Sequence, residues 1–192
     1  MSATSLRTMR MMLVAMFAAL TAIGAYIKIP LAVDPFTLQI LFVFLAGALL
    51  GSKGGMFSQL VYLSAGLAGL PVFTSGGGIA YIFKPTFGYL IGFVLASYLV
   101  GKIIERSPVP RFSTFFTAHL LGLIPVYGFG MLYLYLSMNT WVGESITFWT
   151  VFVTGFSVNI AGDLLLAFVG AIIALRLHKV FQQRFYHPIT AR

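Results

Sequence analysis

The 192-residue chain contains no cysteine and few charges: twelve Lys and Arg and four Asp and Glu, 8% of the sequence. The first absence excludes disulfides, thiolate metal ligation and thiol catalysis. The second excludes an ordinary soluble domain, in which roughly a quarter of residues are charged. Catalytic signatures are missing too. There is no His-Glu-x-x-His zinc pair, Gly-x-Ser-x-Gly elbow or Walker A loop, and His119, His178 and His187 fall on separate segments. An ATP-driven process would have to borrow its ATPase from another polypeptide. What is present is apolar: 59% hydrophobic residues and a mean hydropathy of +0.97. This is the composition of an integral membrane protein. At about 20 residues per helical crossing, the length accommodates about six crossings in a single membrane-embedded domain, residues 1–192, with no separate soluble domain.

Apolar runs bounded by turn and charge signals predict six helices: Met9 to Lys28, Thr37 to Leu50, Met56 to Leu70, Phe87 to Ile104, Ser113 to Ser137 and Phe148 to Leu175. The second and third are short for a crossing, and together read as one helical hairpin around Ser52-Lys53-Gly54-Gly55. The basic start (Arg7, Arg10) and the small residues Ala22 to Gly24 resemble a signal peptide. The apolar run continues past them, however, and five more follow. The basic residues cap apolar runs and form no patch, which argues against nucleic acid. With the N-terminus inside, Arg7, Arg10, Lys53, Lys102, Arg106, Arg111, Arg176, Lys179, Arg184 and Arg192 are cytoplasmic, while Lys28 and Lys84 are external. Ten to two is the asymmetry the positive-inside rule demands. Both termini are therefore expected in the cytoplasm, with external connections Ile29 to Phe36, Pro71 to Thr86 and Met138 to Thr147.

Asp163 is a lone carboxylate in the last apolar run. A charge at that depth costs about 2.5 to 3.5 kcal/mol even on insertion scales, so such a residue marks a functional site by default. The alternative is a structural hydrogen bond, for instance with His119 or Asn159. The loop from Pro71 to Thr86 breaks helix at Pro71, Thr74, Ser75, Gly76, Gly77, Gly78 and Pro85, yet Val72, Phe73, Ile79, Tyr81, Ile82 and Phe83 are too apolar for a solvated linker. Non-helical backbone near membrane depth is tolerated where it is buried in protein or lines a cavity, so a lid over a pocket is expected. Beneath it, Asp163 serves as acceptor and Lys84 as cation, with Tyr81, Tyr89, Phe73 and Phe36 as walls. For Lys84 the competing reading is an interfacial, snorkelling lysine. Gln39 either donates to a ligand or satisfies the preceding loop. Tyr127, Tyr133 and Tyr135 read as packing and interface belt rather than site. Ala15, Ala18, Ala19, Ala22 and Ala25 form a small-residue stripe that admits a closely packed neighbour, from another chain or from the same bundle.

Several segments are recognisable together: Ile29-Pro30 with Pro35-Phe36-Thr37-Leu38-Gln39, Leu45-Ala46-Gly47-Ala48-Leu49-Leu50-Gly51, Gly69-Leu70-Pro71-Val72-Phe73, the run from Lys84 to Phe93, and Gly162-Asp163-Leu164. In this combination, over nearly the whole chain, the sequence resembles the BioY family, the biotin-binding S components of energy-coupling factor (ECF) transporters. The resemblance implies an all-α, six-helix S-component bundle in the bacterial inner membrane, with a biotin site near the outer face. It also implies docking to a transmembrane T subunit with two ATPases, through alanines matching Ala15, Ala18, Ala19 and Ala22. The family's buried acid matches Asp163, and its glycine-rich lid matches Thr74 to Gly78. Many members carry a lysine where this chain has Leu166, and some an arginine where it has Leu90, which leaves Lys84 as the preferred cation.

The expected site is therefore Asp163 on the ureido N–H groups, with Gln39 or Asn159 as polar support. Tyr81, Phe73, Tyr89 and Phe36 contact the rings, Thr74, Gly77 and Gly78 form the lid, and Lys84 meets the carboxylate. Biotin enters as transported ligand, and no cofactor is expected. A stand-alone carrier, an S component for another vitamin, and an intramembrane enzyme using Asp163 with His119 are the competing functions.

Overall fold

The computed structural model describes residues 3–29, 36–157 and 159–181. Most of the first predicted external loop, with Asp34, and the tail bearing Arg184, His187 and Arg192 lie outside the described residues. Six α-helical elements follow in order: α1 (Ala3–Tyr26), α2 (Gln39–Leu67), α3 (Phe87–Glu105), α4 (Phe112–Ser137), α5 (Phe148–Val151) and α6 (Ile160–Phe181). A short antiparallel pair, β1 (Lys28–Ile29) and β2 (Phe36–Thr37), bridges α1 and α2, with Lys28 opposite Thr37.

α2 holds both the second and third predicted helices, and it is a hairpin. Gly51 adopts φ 77° and ψ 178°, a conformation side chains with a Cβ avoid, and the chain reverses there. A Cβ placed on Gly55 would lie 2.7 Å from Cα of Gly47, and Gln39 Nε2 donates to the Tyr62 hydroxyl at 2.8 Å. In a straight helix these last two residues would be about 34 Å apart. The turn is one residue earlier than the predicted Ser52 to Gly55. Residues 39–50 form the centre of the bundle, buried nearly throughout, which explains why that run is apolar on all faces. α3 packs against α2 and α4, α1 covers α2, and α6 closes on α2 and α4.

The sixth predicted helix is broken. α5 carries the side-chain cap of Thr147, which accepts from the Thr150 N–H at 3.2 Å, and then widens into a π-helical stretch, Phe152–Ser157. α6 starts afresh at Ile160. Gly155 and the β-branched and small residues around it hold a regular helix weakly, and π segments of this kind recur at functional sites. The break places Asp163 in the first turn of a new helix rather than mid-span.

Among the described residues, five helices are long and apolar enough to cross a membrane, with Phe148–Ser157 a shorter apolar one. Because α2 doubles back, the chain passes through the bundle six times: α1, the two arms of α2, α3, α4, and α5 with α6. Arg7, Arg10, Lys53, Lys102 and Phe181 line one shared hollow, so the start of α1, the α2 turn, the end of α3 and the end of α6 occupy the same, basic end.

Candidate functional site

The segment 70–86 folds over the opposite end as a lid. Phe73 and Gly76 exchange backbone hydrogen bonds of 2.9 and 3.2 Å around a turn at Thr74 and Ser75, and Ile79–Phe83 forms a 3-10 helix. Phe73, 1% exposed, plugs the space between Tyr62 and Tyr81, with ring centroids 5.4 and 4.5 Å away. Its ring lies so close to Gly66 that a Cβ there would stand 2.0 Å from Cζ, and the Gly78 N–H donates to the Gly66 carbonyl at 2.7 Å. Glycine is required at 66 by this approach. Neighbouring elements stitch the lid down: Tyr26 donates to the Pro71 carbonyl, Tyr133 to that of Ile82, Lys28 to that of Thr74 at 2.7 Å, and Trp141 to that of Phe83 at 2.7 Å.

Beneath the lid is a narrow, partly open cavity. Phe36, Thr37, Gln39 and Ile40 line it from β2 and α2, and Thr74, Tyr81 and Thr86 from the lid. Tyr89, Leu90 and Phe93 enter from α3, Val126 and Tyr127 from α4, and Asn159 and Asp163 from the start of α6. Five aromatic rings, Phe36, Tyr81, Tyr89, Phe93 and Tyr127, line the walls, and polar groups enter from β2, α2, the lid and the start of α6. Tyr127 donates its hydroxyl to Oδ2 of Asp163, which is buried. Asn159, one turn earlier, accepts from the Asp163 N–H at its backbone carbonyl at 3.0 Å, while its side-chain Oδ1 is buried without a hydrogen-bond partner among the described residues. Gln39 is already engaged: Nε2 donates to Tyr62, Oε1 accepts from Thr37 at 3.1 Å, and Tyr62 in turn donates to the Val72 carbonyl at 3.1 Å. That chain ties the floor to the lid.

The structure therefore brings Asp163, Asn159, Gln39, Phe36, Tyr81, Tyr89 and Thr74 to one cavity, and leaves Lys84, Phe73, Gly77 and Gly78 outside its lining. Lys84 donates to the Ser75 carbonyl at 3.0 Å, with its ammonium 5.0 Å from the Tyr81 ring centroid. Among the described residues, the lining contains no cation. Gly77 sits against the Leu70 carbonyl and shapes the lid. Of the two positions where relatives carry a basic residue, Leu90 lines the cavity and Leu166 is buried in the core, outside the lining. Sequence reasoning missed Tyr127, read as belt, and Tyr62; an α4 tyrosine pointing at an acid 36 residues away leaves no local pattern. His119 stacks on Phe44 at 5.0 Å and hydrogen-bonds the Ala167 carbonyl at 3.0 Å, away from Asp163. The alanine stripe splits: Ala18 and Ala25 are buried, whereas Ala15 and Ala19 are exposed on the outer face of α1.

The profile of the BioY family matches residues 1–183. The chain belongs to the BioY family. A probable biotin transporter BioY of Lysinibacillus sphaericus is 52% identical over 175 residues, covering 91% of this chain and 89% of that one. The biotin transporter BioY of Thermotoga maritima is 36% identical over 169 residues, covering 88% and 95%. A crystal structure of the S-component for biotin from an ECF-type ABC transporter superposes with a TM-score of 0.81 at 28% identity, over 93% of this chain and 95% of that one. This BioY-family chain is thus a multi-pass membrane protein with the S-component fold. Its relatives are named as transporters, in keeping with the lack of catalytic motifs.

Proposed function

We propose that the chain captures biotin as the S component of an ECF transporter. It takes the vitamin into the lidded cavity at the outer face of the bacterial cell membrane. It then passes biotin to a transmembrane T subunit driven by two ATPase subunits. The observation that carries this reading is the pair of acceptors at the head of α6. The Asp163 carboxylate and the Asn159 Oδ1, which has no partner among the described residues, lie one helical turn apart in a cavity that five aromatic rings line. A ureido ring supplies two N–H donors side by side, and an unpaired buried acceptor is costly until it receives one. Tyr81, Tyr89, Phe36 and Phe93 suit the apolar thiophane ring. The valerate tail then extends to the lid, where Lys28 and Lys84 hold the Thr74 and Ser75 carbonyls. Lys84 meets the carboxylate by exchanging its backbone partner for it.

The charge asymmetry supports the orientation, with the lid outside and both termini in the cytoplasm. The exposed Ala15 and Ala19 face, with Ala22 half-buried beside it, supports α1 as the surface for the T subunit. Isothermal titration with biotin, dethiobiotin, biotinamide and thiamine tests the ligand. Biotin and dethiobiotin are expected to bind and thiamine not to. Biotinamide is expected to bind more weakly to the wild type, with that difference lost in Lys84→Gln. Equal binding of thiamine and biotin would overturn the assignment. Uptake in the absence of co-purifying ATPase subunits would instead favour a stand-alone carrier.

A further inference from the structure

At the basic end, opposite the lid, a second hollow opens between α1 and the second arm of α2. It is a larger, half-open groove, and its composition is divided. Arg7, Arg10, Lys53 and Lys102 supply four cations against one carboxylate, Glu105. That carboxylate is already engaged, accepting from the Ser52 N–H at 2.7 Å and from its hydroxyl at 2.8 Å. Beyond them, the walls are Met11, Leu13, Val14 and Ala15 of α1 on one side and Phe57 and Val61 of α2 on the other, with Met11, Phe57 and Val61 about half exposed. From Lys53 to Val61 the slot rises about 12 Å along the helix axis. A comparison within the same molecule is informative: the hollow lined by Leu95, Leu99, Ile124, Pro125, Gly128, Phe129 and Leu132 is apolar throughout. Acyl chains alone would fill that one. The slot at α1 adds a cluster of positive charge at its mouth, at the end of the bundle where an anionic headgroup would stand.

We propose that this slot binds one anionic phospholipid. The headgroup phosphate sits among Arg7, Lys53 and Lys102, and an acyl chain lies along Leu13, Val14, Phe57 and Val61. The match is of charge and of shape: several basic groups at the interface attract an anionic headgroup, while a concave apolar wall continuous with them receives its chain. The site is independent of the biotin cavity but shares Ala15 with the α1 face proposed for the T subunit, so the lipid would occupy it when that subunit is not docked.

Native mass spectrometry of the detergent-solubilised protein tests this with phosphatidylglycerol and phosphatidylcholine of identical acyl chains. The variants are Lys53→Gln/Lys102→Gln, Val61→Trp, and Gly128→Leu in the uncharged hollow. The wild type is expected to retain a single phosphatidylglycerol in preference to phosphatidylcholine. The double charge variant should lower that retention about tenfold to thirtyfold. Val61→Trp should abolish it by filling the slot, and Gly128→Leu should leave it unchanged. Melting temperature and monodisperse elution identify misfolded variants, for which Arg7→Gln at an exposed position is the replacement. Equal retention of the two lipids, or retention untouched by the charge and Val61 variants, overturns the proposal in favour of an unspecific lipid annulus. A concentration-dependent dimer that excludes phosphatidylglycerol overturns it in favour of a second copy of the chain.

Discussion

Tyr127 of α4 donates its hydroxyl to the carboxylate of Asp163 in the first turn of α6, across 36 residues of sequence. The pair sets the acid's position on the cavity wall and supplies one hydrogen bond to its Oδ2. A buried carboxylate held this way meets a ligand with its geometry already fixed, so little ordering remains to be done on binding.

The two members of that pair should therefore fail differently. Asp163→Asn removes the charge itself, and a charge-assisted hydrogen bond contributes about 1.5–3 kcal/mol, so biotin affinity is expected to fall about tenfold to a hundredfold. Tyr127→Phe leaves the carboxylate in place but less firmly held, and a smaller loss is expected. Lys84→Gln, nearer water, should also cost less than Asp163→Asn. Calorimetric titration of the three variants gives the order, and equal affinity for wild type and Asp163→Asn would remove the acid from the site.

Asn159 makes the opposite trade between ligand binding and stability. Its Oδ1 is buried and has no hydrogen-bond partner among the described residues, a condition costing about 1–3 kcal/mol. Asn159→Ala is expected to weaken biotin about tenfold while leaving the melting temperature of the unliganded protein unchanged or raised. A drop in melting temperature by several degrees without loss of affinity would mark Asn159 as structural.

The lid depends on Gly66. A Cβ there would stand 2.0 Å from the Phe73 ring, so Gly66→Val should expel Phe73 from its place between Tyr62 and Tyr81. Protease cleavage within residues 71–86 should accelerate and biotin should dissociate faster. Phe73→Ala should do the same by emptying the space, a loss of about 3–5 kcal/mol for a fully buried phenylalanine.

At the far end, Glu105 caps the second arm of α2 through the Ser52 N–H and hydroxyl. Glu105→Ala removes a cap typically contributing about 1 kcal/mol, and a lower melting temperature with biotin affinity within about twofold of wild type is expected. Gly101→Leu should be far worse. Its Cβ would lie 2.3 Å from the Ser52 nitrogen, and backbone there has nowhere to go, so loss of folded protein on purification is the expected outcome.

Much of this was legible along the chain, because lipid imposes strong rules on sequence. Apolar run length and the distribution of Lys and Arg follow directly from the cost of exposing backbone or charge to hydrocarbon. They marked five of the six passes closely, and singled out Asp163 as a charge needing a reason. The glycines and prolines of residues 71–86 likewise announced non-helical backbone, because few other residues break helices so consistently.

Other features depend on contacts between segments distant in sequence. Gly51 rather than Ser52 to Gly55 reverses α2, because the close approach of Gly47 and Gly55 selects the register of the turn. The last apolar run looks continuous by hydropathy, yet the helix widens at Phe152–Ser157 and restarts at Ile160, where Gly155 lies against the Tyr89 hydroxyl of α3. Tyr127 became a partner of Asp163, and Lys84 a ligand of the Ser75 carbonyl, for the same reason. The sequence by itself determined that this chain lives in a membrane, how often it crosses and which acid is out of place. The tertiary structure alone decided which groups face that acid, because helix packing, and not spacing along one helix, brings α2, α3, α4 and α6 to a common cavity.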